Sequence, residues 1–202
     1  MEYNPEEKKI ILNRTLNKLD IFVLNFTKHL KNYVIVSGYV SILLGRSRAT
    51  EDVDLLIPQL NEQEFQLLWN KLHENNFDCI NTSNYKEAFN MLKETAIRFS
   101  EKGKPLPNME FKIIKTDLDR YAYENKLKVI LDRGEMFISP LESQIAYKLF
   151  LAADGTEEEL QCDKDIEDAR HLYKLFKEKL NKEEFLTFIN KLNVSKKLKF
   201  LK

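Results

Sequence analysis

The chain has 202 residues, 43% of them hydrophobic, enough to bury a core in one domain, or in one domain carrying a small helical annex. Lys plus Arg and Asp plus Glu each total 32, so no overall basic field marks a nucleic-acid binder, and any such contact has to be local. Cys79, Cys162 and three scattered histidines lack metal-ligand spacing; with no apolar signal core and no bilayer-length apolar run, a cytoplasmic protein without a membrane is expected.

In chain order, apolar residues at three- and four-residue steps between Pro5 and Leu30 predict an opening amphipathic helix. Tyr33 to Val36 reads as a short strand, Ser37-Gly38 as a turn, and Tyr39 to Leu44 as a short helix closed by Gly45. After the polar stretch Arg46 to Glu51, the residues Asp52 to Ile57 read as a second strand, terminated by Pro58. Helical spacing over Glu62 to Leu72 is followed by strands at Phe77 to Ile80, Ala96 to Phe99 and Met109 to Ile114. Leu127 to Leu131 and Glu135 to Ile138, joined by Asp132-Arg133-Gly134, have the pattern of a hairpin. These elements predict an αβ core with a mixed sheet over residues 1–139. From Pro140 the pattern is helical, at Leu141 to Ala152, Lys164 to Leu180 and Lys182 to Leu192, predicting a helical annex over residues 140–202. The basic tail Ser195 to Lys202 reads as a solvated helix end, the alternative being a nucleic-acid contact.

Asp52 and Asp54 stand two residues apart on a strand, so both carboxylates leave the same face. Like charges that close disfavour joint ionisation, and a divalent cation with oxygen ligands, Mg2+ or Mn2+, removes the penalty. An acidic pair that merely discourages strand-edge pairing is the bland alternative. Ser37-Gly38, between a strand and a helix, offers backbone N–H groups and a hydroxyl to phosphate oxygens, or is a plain turn.

The run VSGYVSILLGRSRATEDVDLLI resembles the nucleotidyltransferase superfamily of the DNA polymerase beta type, with a Gly/Ser turn, a short helix and Asp-x-Asp on the next strand. Ser37 stands where that turn usually has Gly. With SPLESQIAYKL and KDIEDARHLYKLF, the blocks from Tyr33 to Phe176 resemble the AbiEii-like, abortive-infection nucleotidyltransferases found with toxin-antitoxin systems. The resemblance implies a nucleotidyltransferase fold, a small mixed sheet flanked by helices, and transfer of a nucleoside monophosphate from a nucleoside triphosphate to an acceptor hydroxyl on RNA such as a tRNA end, on a protein or on a small molecule. A cognate antitoxin is an implied partner, and a catalytically inactive nucleotide-binding or scaffolding protein of the same fold is the alternative.

The family's third carboxylate corresponds to Glu110, as metal ligand or general base, unless it is a solvent-facing strand residue. Lys148 lies in the apolar stripe of Leu141, Ile145 and Ala152; it either snorkels or contacts triphosphate oxygens or a carboxylate of the following helix. Lys164, Asp165 and Asp168 share a helix face opposite the stripe of Ile166, Ala169 and Leu172, with solvated helix charge as the plain reading. Arg46 and Arg48 are placed to neutralise pyrophosphate or bind an acceptor, and Thr50 to bond a phosphate or cap the strand.

Overall fold

The computed structural model describes residues 1–202. The opening helix is shorter than its stripe predicts: two strands, β1 (Glu2–Asn4) and β2 (Lys9–Ile11), precede helix α1 (Lys18–Thr27). Ile10, counted in the helical stripe, is instead buried in β2, opposite Val129 of the parallel strand β8 (Leu127–Leu131). The helix starts where a capping box permits it. The Asn17 side chain accepts the Asp20 N–H, and the Asp20 carboxylate accepts the Asn17 N–H.

The chain continues through β3 (Val34–Ile35), α2 (Gly38–Leu43), β4 (Asp52–Ile57), α3 (Glu62–Glu74), β5 (Phe77–Cys79), α4 (Tyr85–Glu94), β6 (Ala96–Glu101), β7 (Asn108–Ile113), α5 (Asp117–Glu124) and, after β8, β9 (Gly134–Ile138). The strands form one mixed nine-stranded sheet in the order β1-β2-β8-β9-β3-β4-β7-β6-β5. It is larger than the sheet expected from sequence because the N-terminal segment adds two strands. Strand β4 runs parallel to β7, with Asp54 opposite Glu110, and antiparallel to β3.

Alternation gives the central strands two unlike faces. Val53, Leu55, Met109, Phe111, Ile97 and Phe99 are fully buried on one face, where Phe111 meets Phe26 of α1 and Phe99 edge to face. The opposite face carries Asp52, Asp54, Glu110, Lys112 and Arg98.

The C-terminal part is helical: α6 (Leu141–Leu151), α7 (Glu157–Gln161), α8 (Lys164–Phe176), α9 (Lys182–Lys191) and a closing 3-10 helix, Ser195–Leu201. The basic tail is not a solvated end, because Phe200 and Leu201 are buried and the Phe200 carbonyl accepts a hydrogen bond from Arg170 at 2.7 Å. Its lysines alternate with apolar residues that find a place against α8. One apolar cluster runs from Tyr3 to Leu201 through sheet and helices. No helix is long and apolar enough to cross a membrane.

Candidate active site

A cleft of about 200 Å³ opens on the charged face of the sheet. Asp54, Leu56 and Lys112 form its floor, Ser37 one end, and Asp119 of α5 with Tyr147 of α6 its walls. Asp52 lies one step along β4 on the same face, where the Thr50 hydroxyl donates to its backbone carbonyl at 3.0 Å and to Oδ1 at 3.3 Å. Thr50 thus holds the strand's first aspartate, the capping half of its expected role.

Glu110 is buried beside Asp54, but neither of its oxygens is free. Oε1 is 2.6 Å from the Lys112 ammonium, and Oε2 pairs with Arg98, its neighbour on β6. Lys112 also donates to Asp54 Oδ1 at 2.6 Å. Burial alone pushes the Glu110 carboxyl up, but Lys112 and Arg98 outweigh it and hold the group below its ordinary value. For Lys112, burial acts to lower the ammonium's pKa, while Asp54 and Glu110 outweigh it and raise it. An ionised, doubly paired carboxylate is a poor general base, so the geometry takes Glu110 out of that role.

The Ser37-Gly38 turn is built differently from a phosphate cradle. Ser37 has φ 64° and ψ −136°, a conformation that favours glycine. Gln144 of α6 holds it there: its Oε1 accepts the Ser37 N–H at 3.1 Å and its Nε2 donates to the Ser37 carbonyl at 2.8 Å. The Ser37 N–H is therefore spent, and only its hydroxyl is left toward the cleft. A Cβ on Gly38 would lie 2.2 Å from Arg48 Nη2, so this glycine admits an arginine of its own chain.

Arg46, Arg48 and Lys148 do not reach the cleft. All three converge on Asp168, which has no solvent exposure. Arg46 Nε donates to its Oδ1 at 2.6 Å, Arg48 spans both oxygens at 3.1 and 3.0 Å, and Lys148 lies 2.9 Å from Oδ2. Lys148 also bonds Asp165 at 2.6 Å, and Arg46 bonds Glu167 at 2.5 Å. Asp165 and Asp168 are thus buried, not solvated helix charge, because α6 and the loop Gly45–Thr50 cover that face of α8; Lys164, one position before Asp165, is exposed. Of the two readings of Lys148, the geometry selects the contact with carboxylates of the following helix.

Four residues that sequence reasoning passed over shape the site: Lys112, Arg98, Gln144 and Asn108. The same alternation on β7 sets Asn108 and Lys112 on the face of Glu110, so two of the four were in reach of that pattern. Gln144 gives no local signal, since its partner is 107 residues away.

No group of three His, Cys, Asp or Glu side chains is arranged to hold a metal ion. Two carboxylates fit one, however. Asp52 and Asp54 share a face, and Asn108, in register with Asp52, has a buried Oδ1 with no hydrogen-bond partner. This is an all-oxygen donor set, suited to Mg2+ or Mn2+ and not to zinc.

No protein-family model matches the chain, and a search of curated proteins gives no match. Solved structures do resemble it. An antigenic nucleotidyltransferase-like protein from Paracoccidioides brasiliensis is 17% identical, with a TM-score of 0.53 over 91% of this chain and 94% of that one. A candidate nucleotidyltransferase from H. pylori is also 17% identical, with a TM-score of 0.48 over 92% of this chain and 80% of that one. The first of these likenesses gives the chain a nucleotidyltransferase-like fold.

Proposed function

We propose that this chain is a metal-dependent nucleotidyltransferase that moves a nucleoside monophosphate from a nucleoside triphosphate to an acceptor hydroxyl. The observation that carries this reading is the pair Asp52 and Asp54, side by side on the sheet face that floors the cleft, in a chain of nucleotidyltransferase-like fold. Asp52 and Asp54 would hold the cation, which when bound supplies positive charge to the phosphates. The acceptor oxygen bonds to the α-phosphorus as the bond to the bridging oxygen breaks; pyrophosphate leaves with that electron pair, and the hydroxyl proton passes to solvent water. Tyr147 and Asp119 bound the space in which sugar and base have to lie, and Ser37 offers its hydroxyl to a phosphate oxygen.

RNA, protein and small-molecule hydroxyls are the acceptors to compare, with a toxin-antitoxin setting and a cognate antitoxin belonging to the first two. Zero net charge leaves RNA only a local patch. The second reading, a nucleotide-binding protein without catalysis, is favoured by the neutralised Glu110 and the spent Ser37 N–H.

Radiolabelled triphosphates with Mg2+, scanned against RNA and protein acceptors, test the assignment. The Asp52→Asn, Asp54→Asn double variant is expected to lose label transfer by about a hundredfold or more, since the metal's contribution is worth several kcal/mol. Metal-dependent binding without transfer to any acceptor favours the second reading. No triphosphate binding by either chain sinks both.

A further inference from the structure

We propose that Lys112 is a tethered cation occupying the second metal position, so that the site binds one divalent ion, on Asp52 and Asp54, with Glu110 anchoring Lys112 instead of binding metal. This inference rests on the metal-dependent reading above and specifies its stoichiometry.

Two-metal sites place a cation between carboxylates to bridge them. Here that bridging place, between Asp54 Oδ1 and Glu110 Oε1, is held by the Lys112 ammonium at 2.6 Å from each. The lysine is not a passer-by on the surface: it follows Glu110 by two residues, so the pleat of β7 delivers it to the same face, opposite Leu56 on β4. The other Glu110 oxygen is closed by Arg98, which the antiparallel register of β6 sets directly opposite. A metal ion seeking Glu110 therefore has to break two charge-assisted bonds.

The oxygens left over lie at the other end of the row. Asp54 Oδ2 and Asp52 Oδ2 take part in none of these bonds, and the orphaned Asn108 Oδ1 lies in register with Asp52. Charge leads to the same count. A second dication, placed between Asp54 Oδ1 and Glu110 Oε1, would face the Lys112 ammonium at close range.

Counting Mn2+ sites on the full chain, by the electron paramagnetic resonance signal of the free ion, tests this without relying on turnover. The native chain is expected to bind one Mn2+, lost in the Asp52→Asn, Asp54→Asn variant. Lys112→Met should gain a second site, and adding Glu110→Gln to it should remove that site again. Lys112→Arg should keep the count at one. Glu110→Gln alone should leave the single affinity within about threefold, and it carries the test if Lys112→Met fails to fold, as circular dichroism reports. Two sites in the native chain, a single site in folded Lys112→Met, or a tenfold loss of affinity in Glu110→Gln overturns the role of Lys112 and Glu110 and leaves the proposed function standing. No Mn2+ bound by the native chain overturns the metal-dependent function itself, and this inference with it.

Discussion

Gly38 is surrounded tightly enough for one added carbon to matter. Its Cβ would meet Arg48 Nη2 at 2.2 Å and Cζ at 3.3 Å, and Arg48 cannot move aside while it spans both oxygens of Asp168. The Gly38→Ala variant is therefore expected to lose about 1–3 kcal/mol, the cost of disrupting a buried, charge-assisted contact. Removing the arginine should remove the cost: in an Arg48→Ala background the same change becomes neutral or slightly stabilising, because alanine outranks glycine in a helix. Urea midpoints of the two single variants and the double variant measure this coupling, and an equal cost in both backgrounds would show that Arg48 is not the obstacle. The sequence reads Gly38 as room for a phosphate because strand, Gly and helix form a local signal, whereas the residue that fills the room comes from ten positions later. Asp52 and Asp54 were legible for the opposite reason, since a two-residue spacing on a strand fixes which face they share. Lys112 obeys the same rule, and only its charge, unremarkable on a strand that also reads as solvent-facing, hid it.

Helices α6 and α8 and the loop Gly45–Thr50 are joined through Asp168. Three cations depend on that one carboxylate, and Lys148 among them is almost wholly buried. A buried ion cluster of this kind contributes little compared with a well-packed apolar one, but removing a single partner strands the others. Asp168→Ala is expected to cost about 3–5 kcal/mol, read as a fall in the urea midpoint. It should also raise hydrogen exchange in α8 and in the arginine loop more than in the strands β6 and β7, which share no partner with it. Uniform loss of protection across the chain would mean that the cluster does not act as the local fastener. The helix pattern of Ile166, Ala169 and Leu172 gave the buried stripe of α8, but a periodic pattern cannot distinguish a solvated polar face from one buried against cations of another segment. The same limit explains the opening of the chain: Ile10 and Ile11 fit a helical step, and only the parallel partner β8, more than a hundred residues away, makes them a strand. Helices α4 and α5, capped by Asn84 and Thr116, were not among the expected elements.

Across the whole molecule the sheet and the C-terminal helices share one apolar cluster, so a buried charge between them bears on the stability of both. Glu142, on the second residue of α6, is such a charge. It is almost fully buried, and its Oε1 accepts the Asn181 N–H at 2.8 Å, the residue that caps α9. Burial raises the Glu142 carboxyl above its ordinary range; the hydrogen bonds from the Asn181 and Glu142 N–H groups oppose this, and the nearby charge of Glu184 adds to it. A carboxyl raised on folding holds its proton more tightly in the native chain than in the unfolded one. Its stabilising share is therefore complete below the unfolded value, about pH 4.3, and is lost as pH rises through the folded value. Above that range the native state carries a buried, ionised carboxylate that glutamine would spare it, while still offering an oxygen to the Asn181 N–H. Glu142→Gln is accordingly expected to melt higher than the native chain at about pH 7.5, where each kcal/mol is worth about 2–4 °C in a protein of this length. The gap should narrow as pH falls toward the unfolded value and close below it, where the carboxyl becomes protonated in both states. Thermal melts of the two chains above and below that value decide it. A glutamine variant that melts lower at neutral pH would mean that the ionised form is held by a favourable contact, and that this junction of sheet and helices is fastened by charge instead of merely tolerating it.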